Sequence, residues 1–263
     1  MVPELASRSG TARLCAAHAM PAPEPFDLRL VASRPLAPSV RALRFDRVDG
    51  RPIAFDPGQW LNLVLPLPAG ELRRAYSIAS APDGTSTIEI AVTLVAGGAG
   101  SAHLHALREG EVLRAIGPQG FFTRAADDVA PALLVGTGTG ITPLRSMLAA
   151  ATGAASTSPI WVLFGARREA DVIYRGELEA LARERPNVRY EITLSQPSAA
   201  WAGRRGYVQA HVPELVAGLR AAGAPAEPHV YVCGLERMVK AVRATCRGDL
   251  GLDRRNVHAE RYD

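Results

Sequence analysis

The stretch Ala132-Leu133-Leu134-Val135-Gly136-Thr137-Gly138-Thr139-Gly140-Ile141-Thr142-Pro143 passes from an uninterrupted apolar run, through a glycine-rich turn, into the helical pattern of Pro143 to Ala151. A short run that is apolar at every position, instead of at alternate ones, reads as a strand buried on both faces. Pro143 suits the first turn of a helix, where its missing N–H would have no partner. The glycines permit a tight turn and close backbone approach, so a diphosphate can rest on the helix N-terminus; a plain strand-to-helix turn is the other reading. Ile141 stands where the usual dinucleotide fingerprint has a third glycine. The second strand ends in Gly165-Ala166-Arg167-Arg168, without an acidic residue for a ribose 2′-hydroxyl.

The alternation of strand and helix continues downstream: Ile160 to Phe164 then Val172 to Glu184, Val188 to Leu194 then Val212 to Leu219, Val230 to Cys233 then Glu236 to Cys246, and a last strand over Val257 to Glu260. It predicts a C-terminal α/β domain with a parallel sheet covered on both faces, residues 131–263, which the glycine-rich turn makes a candidate nucleotide-binding domain. Upstream the period changes. Leu28 to Val31 and Val40 to Phe45 run close to apolar alternation, and Asp49-Gly50, Asp56-Pro57-Gly58 and Asp83-Gly84 supply turns. Further strands fit Trp60 to Leu65, Arg74 to Ala79, Thr87 to Val95 and Val112 to Gly117. Six short strands with a single helical segment predict an N-terminal six-stranded antiparallel β-barrel over residues 26–124. That helix is Ser101 to Leu107 with Ser101 as its N-cap, and the glycines of Gly97-Gly98-Ala99-Gly100 present unpaired amides that can hold a phosphate. Residues 1–25 are rich in Ala, Ser and Pro and lack the ordered regions of a signal peptide. They are expected to be a mobile tail, or sequence upstream of a start at Met20.

The 263 residues carry three cysteines, Cys15, Cys233 and Cys246, too few and too scattered for a disulfide framework, a four-thiolate zinc site or an iron–sulfur cluster. Any electron chemistry therefore needs a non-metal carrier. His103, His105, His211, His229 and His258 are spread over both halves and form no metal set. Ser77 lies in a strand and not at a sharp glycine-flanked turn, so no hydrolase triad is indicated. The formal charge is +4, and it comes without a basic block or interleaved aromatics that would indicate nucleic acid. It reads either as an Arg-rich composition or as a basic face that steers an acidic protein partner. No apolar run approaches the roughly 18 residues that a membrane-spanning helix needs, and a cytoplasmic location is expected.

Arg74-Ala75-Tyr76-Ser77 offers a guanidinium, a flat phenol and a hydroxyl along one strand, and by itself it also reads as ordinary strand alternation. Taken with Phe55-x-Pro57-Gly58-Gln59 before it, then Gly117-Pro118-x-Gly120-x-Phe122, the Gly136 turn and Cys233-Gly234 after it, the set resembles the ordered motifs of the ferredoxin–NADP reductase superfamily over residues 26 to 263. The resemblance implies an FAD barrel followed by a nicotinamide-nucleotide domain, with FAD and NAD(P)H as cofactors. It implies that Arg74 binds the flavin diphosphate, Tyr76 stacks on the isoalloxazine and Ser77 hydrogen-bonds near flavin N5, while Gly100 and Ser101 hold the remaining phosphate. Gly138, Thr139, Gly140 and Thr142 would cradle the nicotinamide nucleotide, with Cys233 and Gly234 beside the nicotinamide. Glu260 would relay a proton and Tyr262 would close over the flavin. Arg167 and Arg168 are the first candidates for a 2′-phosphate, which favours NADPH; Arg204 and Arg205 are a second pair. The implied activity is hydride transfer from NAD(P)H to FAD, then single electrons to a separate carrier, since the chain has neither the thiolates nor the spare length for a fused iron–sulfur or haem module. Ferredoxin or flavodoxin is the first candidate partner. A reductase component of a multicomponent oxygenase, a free-flavin reductase, and a non-catalytic flavin-binding subunit that docks on a larger complex are the alternatives.

Overall fold

The computed structural model describes residues 24–222 and 226–262. The tail expected over residues 1–25 lies outside them except for Glu24 and Pro25, and Pro25 already belongs to the first strand.

Six antiparallel strands form the N-terminal domain: β1 (Pro25–Ala37), β2 (Val40–Arg47), β3 (Trp60–Leu67), β4 (Gly70–Ser77), β5 (Thr87–Thr93) and β6 (Val112–Gln119), in the order β4-β3-β6-β1-β2-β5. Their alternation puts Leu28, Leu30, Leu43, Phe45, Leu61, Leu63, Leu65, Ile88 and Ile90 into one core. The ladder leaves β4 and β5 as edges. The chain leaving β4 links them, the Ala79 N–H donating to the Glu89 carbonyl at 2.7 Å. Helix α1 (Ala99–Ala106) packs against β3 and β5 and sends Leu104 into the core.

Two local expectations change. Strand β4 starts at Gly70, not Arg74, because a hairpin pairs Leu67 with Gly70. Helix α1 is capped by Gly98, not Ser101. Ser101 lies inside the first turn, where its hydroxyl accepts from the Val95 N–H and donates to the Gly98 carbonyl, both at 3.0 Å, and so closes the approach loop instead of capping the helix.

The C-terminal domain is built from β7 (Ala132–Thr137), α2 (Ile141–Gly153), β8 (Ile160–Ala166), α3 (Arg175–Glu184), β9 (Val188–Leu194), β10 (Arg204–Arg205), α4 (Val212–Ala221), β11 (His229–Leu235), α5 (Glu236–Ala244) and β12 (Val257–Tyr262). The parallel sheet runs β10-β9-β8-β7-β11-β12. Leu134 faces one core with Leu144 and Leu148 of α2, while Leu133 and Val135 face the other with α4 and α5, which is why the run Ala132 to Val135 of β7 is apolar at every position. Helix α3 begins at Arg175 instead of Val172 because Tyr174 adopts a left-handed φ of 56° that interrupts the helical path. Helix α5 stops at Ala244 and the chain widens into a π-turn over Thr245–Asp249. The two-residue strand β10 had no sequence signal, lying between Gly203 and Gly206. Among the described residues no helix is long and apolar enough to cross a membrane.

Going along the sheet, β8 and β9 lie on one side of β7 and β11 on the other. Such a reversal opens a crevice at the C-terminal ends of the strands, the usual ligand position in open parallel sheets. The two domains share a core: Val40, Ala79, Ala91 and Phe122 of the first pack with Ile141, Leu144 and Tyr231 of the second.

Candidate active site

Five of the residues that the sequence singled out meet where β7 and β11 end. Parallel pairing sets Cys233 opposite Glu260 and Leu235 opposite Tyr262. Strand β4 of the barrel ends at the same place: the Ser77 hydroxyl is 2.6 Å from that of Tyr262 and makes a long 3.5 Å contact with Glu260 Oε1. The Thr142 hydroxyl, on the first turn of α2, donates to the Thr139 carbonyl at 2.8 Å and lies 3.5 Å from the Tyr262 hydroxyl. Ser77, Thr142, Cys233, Glu260 and Tyr262 thus converge from both domains.

Burial governs the electrostatics here. It pushes the Glu260 carboxyl up to about 7, with the Ser77 hydrogen bond opposing. The Cys233 thiol is fully buried and held well above its ordinary range by burial and then by the Glu260 charge, so it is a small neutral wall and not a thiolate. Burial likewise raises Tyr262 well above the phenol range.

The turn beneath this cluster is tight. A Cβ on Gly140 would stand 2.6 Å from the Cys233 carbonyl carbon and 2.9 Å from Gly234 Cα, so only glycine lets the turn approach β11. Gly138, with φ +54°, has nothing within 4 Å of its Cβ position and leaves open space before the helix. The Thr137 hydroxyl just ahead of it is buried and has no hydrogen-bond partner among the described residues, a site residue with no signal in the sequence beyond its place next to the glycines.

A second cluster lies at the open edge of the barrel. Arg74 and Tyr76 are on the same side of β4 as the core-facing Leu63 and Leu61, their cross-strand partners. The Arg74 guanidinium is exposed, donates only to the Arg73 carbonyl at 2.9 Å, and has no carboxylate partner among the described residues. Its Cγ would be 3.5 Å from a Cβ on Gly100, so it runs over the N-terminal turn of α1, whose Ala99, Gly100 and Ser101 amides have no intrahelical acceptor. A free guanidinium beside a positive helix end is a cradle for an anion, and it fits the FAD diphosphate. Tyr76 is half-buried and packs against the edge of the barrel core; burial raises its hydroxyl.

At the end of β8, Arg167 and Arg168 are exposed, and among the described residues neither guanidinium has a carboxylate partner. The second candidate pair is already engaged. Arg204 holds Glu214 with both terminal nitrogens, at 2.7 and 2.8 Å, and Glu191 through Nε at 3.1 Å; Arg205 donates to the Ser198 and Trp201 carbonyls.

Residues 27–123 match the oxidoreductase FAD-binding domain family and residues 134–244 the oxidoreductase NAD-binding domain family. The chain is 60% identical over 240 residues to ferredoxin–NADP reductase B of Sorangium cellulosum, covering 91% of this chain and 98% of that one. It is 31% identical over 238 residues to the stachydrine N-demethylase reductase subunit of Rhizobium meliloti, covering 89% of this chain but 66% of that one. Among solved structures, a cytochrome P450 reductase of Amycolatopsis superposes with a TM-score of 0.76 at 26% identity, over 90% of this chain and 69% of that one. With FAD- and NAD-binding oxidoreductase domains in this order and so similar a relative over nearly its whole length, the chain belongs to the ferredoxin–NADP reductase family.

Proposed function

We propose that this protein takes hydride from NADPH into FAD and passes electrons singly to a separate acidic carrier protein such as ferredoxin or flavodoxin. The observation that carries this reading is the 2.6 Å contact between Ser77 and Tyr262, which brings the strand of the anion cradle to the crevice of the parallel sheet. Bound FAD supplies a carrier that accepts two electrons together and releases them one at a time. Arg74 and the amides of Gly100 and Ser101 hold its diphosphate, and Tyr76 lies along its ring. Ser77 directs its hydroxyl to the reacting ring nitrogen. Gly138, Thr139, Gly140 and Thr142 hold the nicotinamide nucleotide's diphosphate, while the small Cys233 and Gly234 leave room for its ring. Glu260 retains a proton near neutrality beside the reacting rings, and Tyr262 closes over the flavin. Arg167 and Arg168, without carboxylate partners among the described residues, suit a 2′-phosphate and favour NADPH. The domains divide as FAD-binding residues 26–124 and NAD(P)-binding residues 131–263. Cys233 and Cys246, both buried and unpaired, suit the reducing cytoplasm.

Purified protein tests the proposal by colour. It should be yellow, bleach anaerobically with NADPH faster than with NADH, and recover its colour when oxidised ferredoxin or flavodoxin is added. A protein that stays colourless with added FAD would instead be the docking subunit. The 31% identity over 213 residues to a glycine betaine monooxygenase reductase subunit of Pseudomonas aeruginosa favours a second reading, in which the acceptor is an oxygenase component. Reoxidation by neither small carrier, with rapid reoxidation by an oxygenase component, would select it.

A further inference from the structure

Beside the site, a polar cluster ties the two domains together. Arg145 of α2 donates from Nη1 to the Ala79 carbonyl at 2.6 Å, and from Nε and Nη2 to the two Glu177 oxygens at 2.8 and 2.9 Å. Its guanidinium lies over the Tyr174 ring, 4.5 Å from the centroid. The Tyr174 hydroxyl donates across the domain boundary to Glu89 of β5 at 2.9 Å, and Glu89 also accepts from Arg34 of β1 at 3.3 Å. Arg145 stands 3.7 Å from the same carboxylate. The adjacent Ser146, fully buried, donates to the Ser80 carbonyl at 2.7 Å.

Two features distinguish this cluster from incidental packing. Tyr174 sits in the left-handed region, at φ 56°, a conformation that is strained for a bulky residue and persists only where the surroundings impose it. The placement is also specific. Arg145 and Ser146 follow Thr142 by three and four residues and share its helix face. Ala79 and Ser80 follow Ser77 by two and three. One face of α2 therefore meets the chain leaving β4 twice, through Thr142 and Tyr262 at the site and through Arg145 and Ser146 at two successive carbonyls. From the other side, the Glu89 backbone holds Ala79 N–H at 2.7 Å and donates to Ser80 Oγ at 3.1 Å.

We propose that Arg145, Tyr174 and Glu89 are positioning residues: they lock the helix that opens on Gly138-Thr139-Gly140 against the strand end that carries Ser77, and so set the distance over which hydride passes. This role presupposes the reductase chemistry proposed above. A misplacement of 1 Å between reacting centres costs on the order of a hundredfold in rate. Loosening the lock slows transfer without weakening either nucleotide.

Two mild variants test it. Tyr174→Phe keeps the ring under the guanidinium groups and removes only the hydroxyl; Arg145→Lys keeps the charge and loses the fork between the Ala79 carbonyl and Glu177. Each is purified with FAD, reduced anaerobically with NADPH in stopped flow, and followed by amide hydrogen exchange at Ala79. The expected result is exchange at Ala79 at least tenfold faster and flavin reduction at saturating NADPH about ten- to a hundredfold slower, with NADPH Kd and dithionite reduction unchanged. Faster exchange with unchanged reduction by NADPH makes the cluster a fold-stabilising contact only and overturns the proposal. Unchanged exchange in both variants overturns it as well. A wild-type protein that neither NADPH nor NADH reduces defeats the reductase reading itself, and is recognised before any variant is compared.

Discussion

The two glycines of the turn after β7 should fail in different ways when each gains one methyl group. At Gly140 the new Cβ would stand 2.6 Å from the Cys233 carbonyl carbon, 2.9 Å from Gly234 Cα, and closer still to the Cys233 oxygen. These are backbone atoms of β11, held between β7 and β12 in the ladder, so no side-chain rotation relieves the overlap. The turn must retreat by about 1 Å, and overpacking of this kind costs about 1–3 kcal/mol, with rigid neighbours at the upper end. About 3 kcal/mol lowers the melting temperature by roughly 6–12 °C in a chain of this size. At Gly138 the Cβ meets nothing within 4 Å, and alanine there bears only the cost of its left-handed φ of +54°, about 1 kcal/mol and roughly 2–4 °C. Its methyl group, however, projects into the space proposed for the nicotinamide nucleotide's diphosphate. Thermal melts and NADP⁺ titrations of the flavin-loaded variants separate the two. Gly138→Ala should melt near wild type and bind NADP⁺ at least about tenfold more weakly; Gly140→Ala should melt well below it. Wild-type NADP⁺ affinity in Gly138→Ala would refute the diphosphate assignment, and wild-type melting of Gly140→Ala would refute the packing argument.

Ser77→Ala should retain FAD while reduction by NADPH slows about ten- to a hundredfold, since it removes a contact made at the reacting centre; equal reduction rates in stopped flow would take Ser77 out of the mechanism. Arg167→Ala should raise the KM for NADPH more than that for NADH, whereas Arg204→Ala, whose guanidinium is already held by Glu191 and Glu214, should leave their ratio unchanged. The opposite pattern would move the 2′-phosphate site to Arg204. Burial raises the Glu260 carboxyl from 4.5 to about 7, so it carries a proton below that pH and loses it above. A step that draws on this proton falls roughly tenfold per pH unit on the alkaline side, and Glu260→Gln should abolish that limb. The same shift sets a stability trend. Between pH 4.5 and about 7 the folded chain keeps a proton that the unfolded chain has released, so wild type should lose stability relative to Glu260→Gln as pH rises through that window. A limb that survives in the glutamine variant belongs to another group.

Periodicity and turn chemistry are local properties, and the features they govern were legible in the sequence. The run Ala132 to Val135 of β7 is apolar at each position because a separate core lies on each face of the strand, and the glycines after it read as a turn for the reason that the Gly140–Cys233 contact supplies. What escaped the sequence depends on partners far away along the chain. The Ser77–Tyr262 contact spans 185 positions, and the two were joined only by resemblance to a family. Tyr174 reads as one more apolar residue of a helix, yet a hydrogen bond to Glu89, 85 positions earlier, accompanies a backbone angle that delays the helix. Ser101 has the residue type of an N-cap, but the approach loop claims its hydroxyl and leaves the cap to Gly98. Arg204 and Arg167 are equivalent as letters. Only the carboxylates around the first distinguish them.

Hydrogen-bond counting ties the Ser77 and Glu260 assignments into one unit. A serine hydroxyl has one hydrogen and two lone pairs. With Tyr262 donating at 2.6 Å, one lone pair is filled; Glu260, when protonated, can donate into the second from 3.5 Å, which leaves the serine's hydrogen free for an acceptor in the crevice. When Glu260 ionises, its carboxylate competes for that hydrogen, and the donor offered to the crevice is withdrawn. The burial that holds the Glu260 carboxyl near 7 therefore acts on the reaction through Ser77 as well as through its own proton. Substitutions at the two positions remove overlapping parts of a single network, so their effects on flavin reduction overlap and do not add.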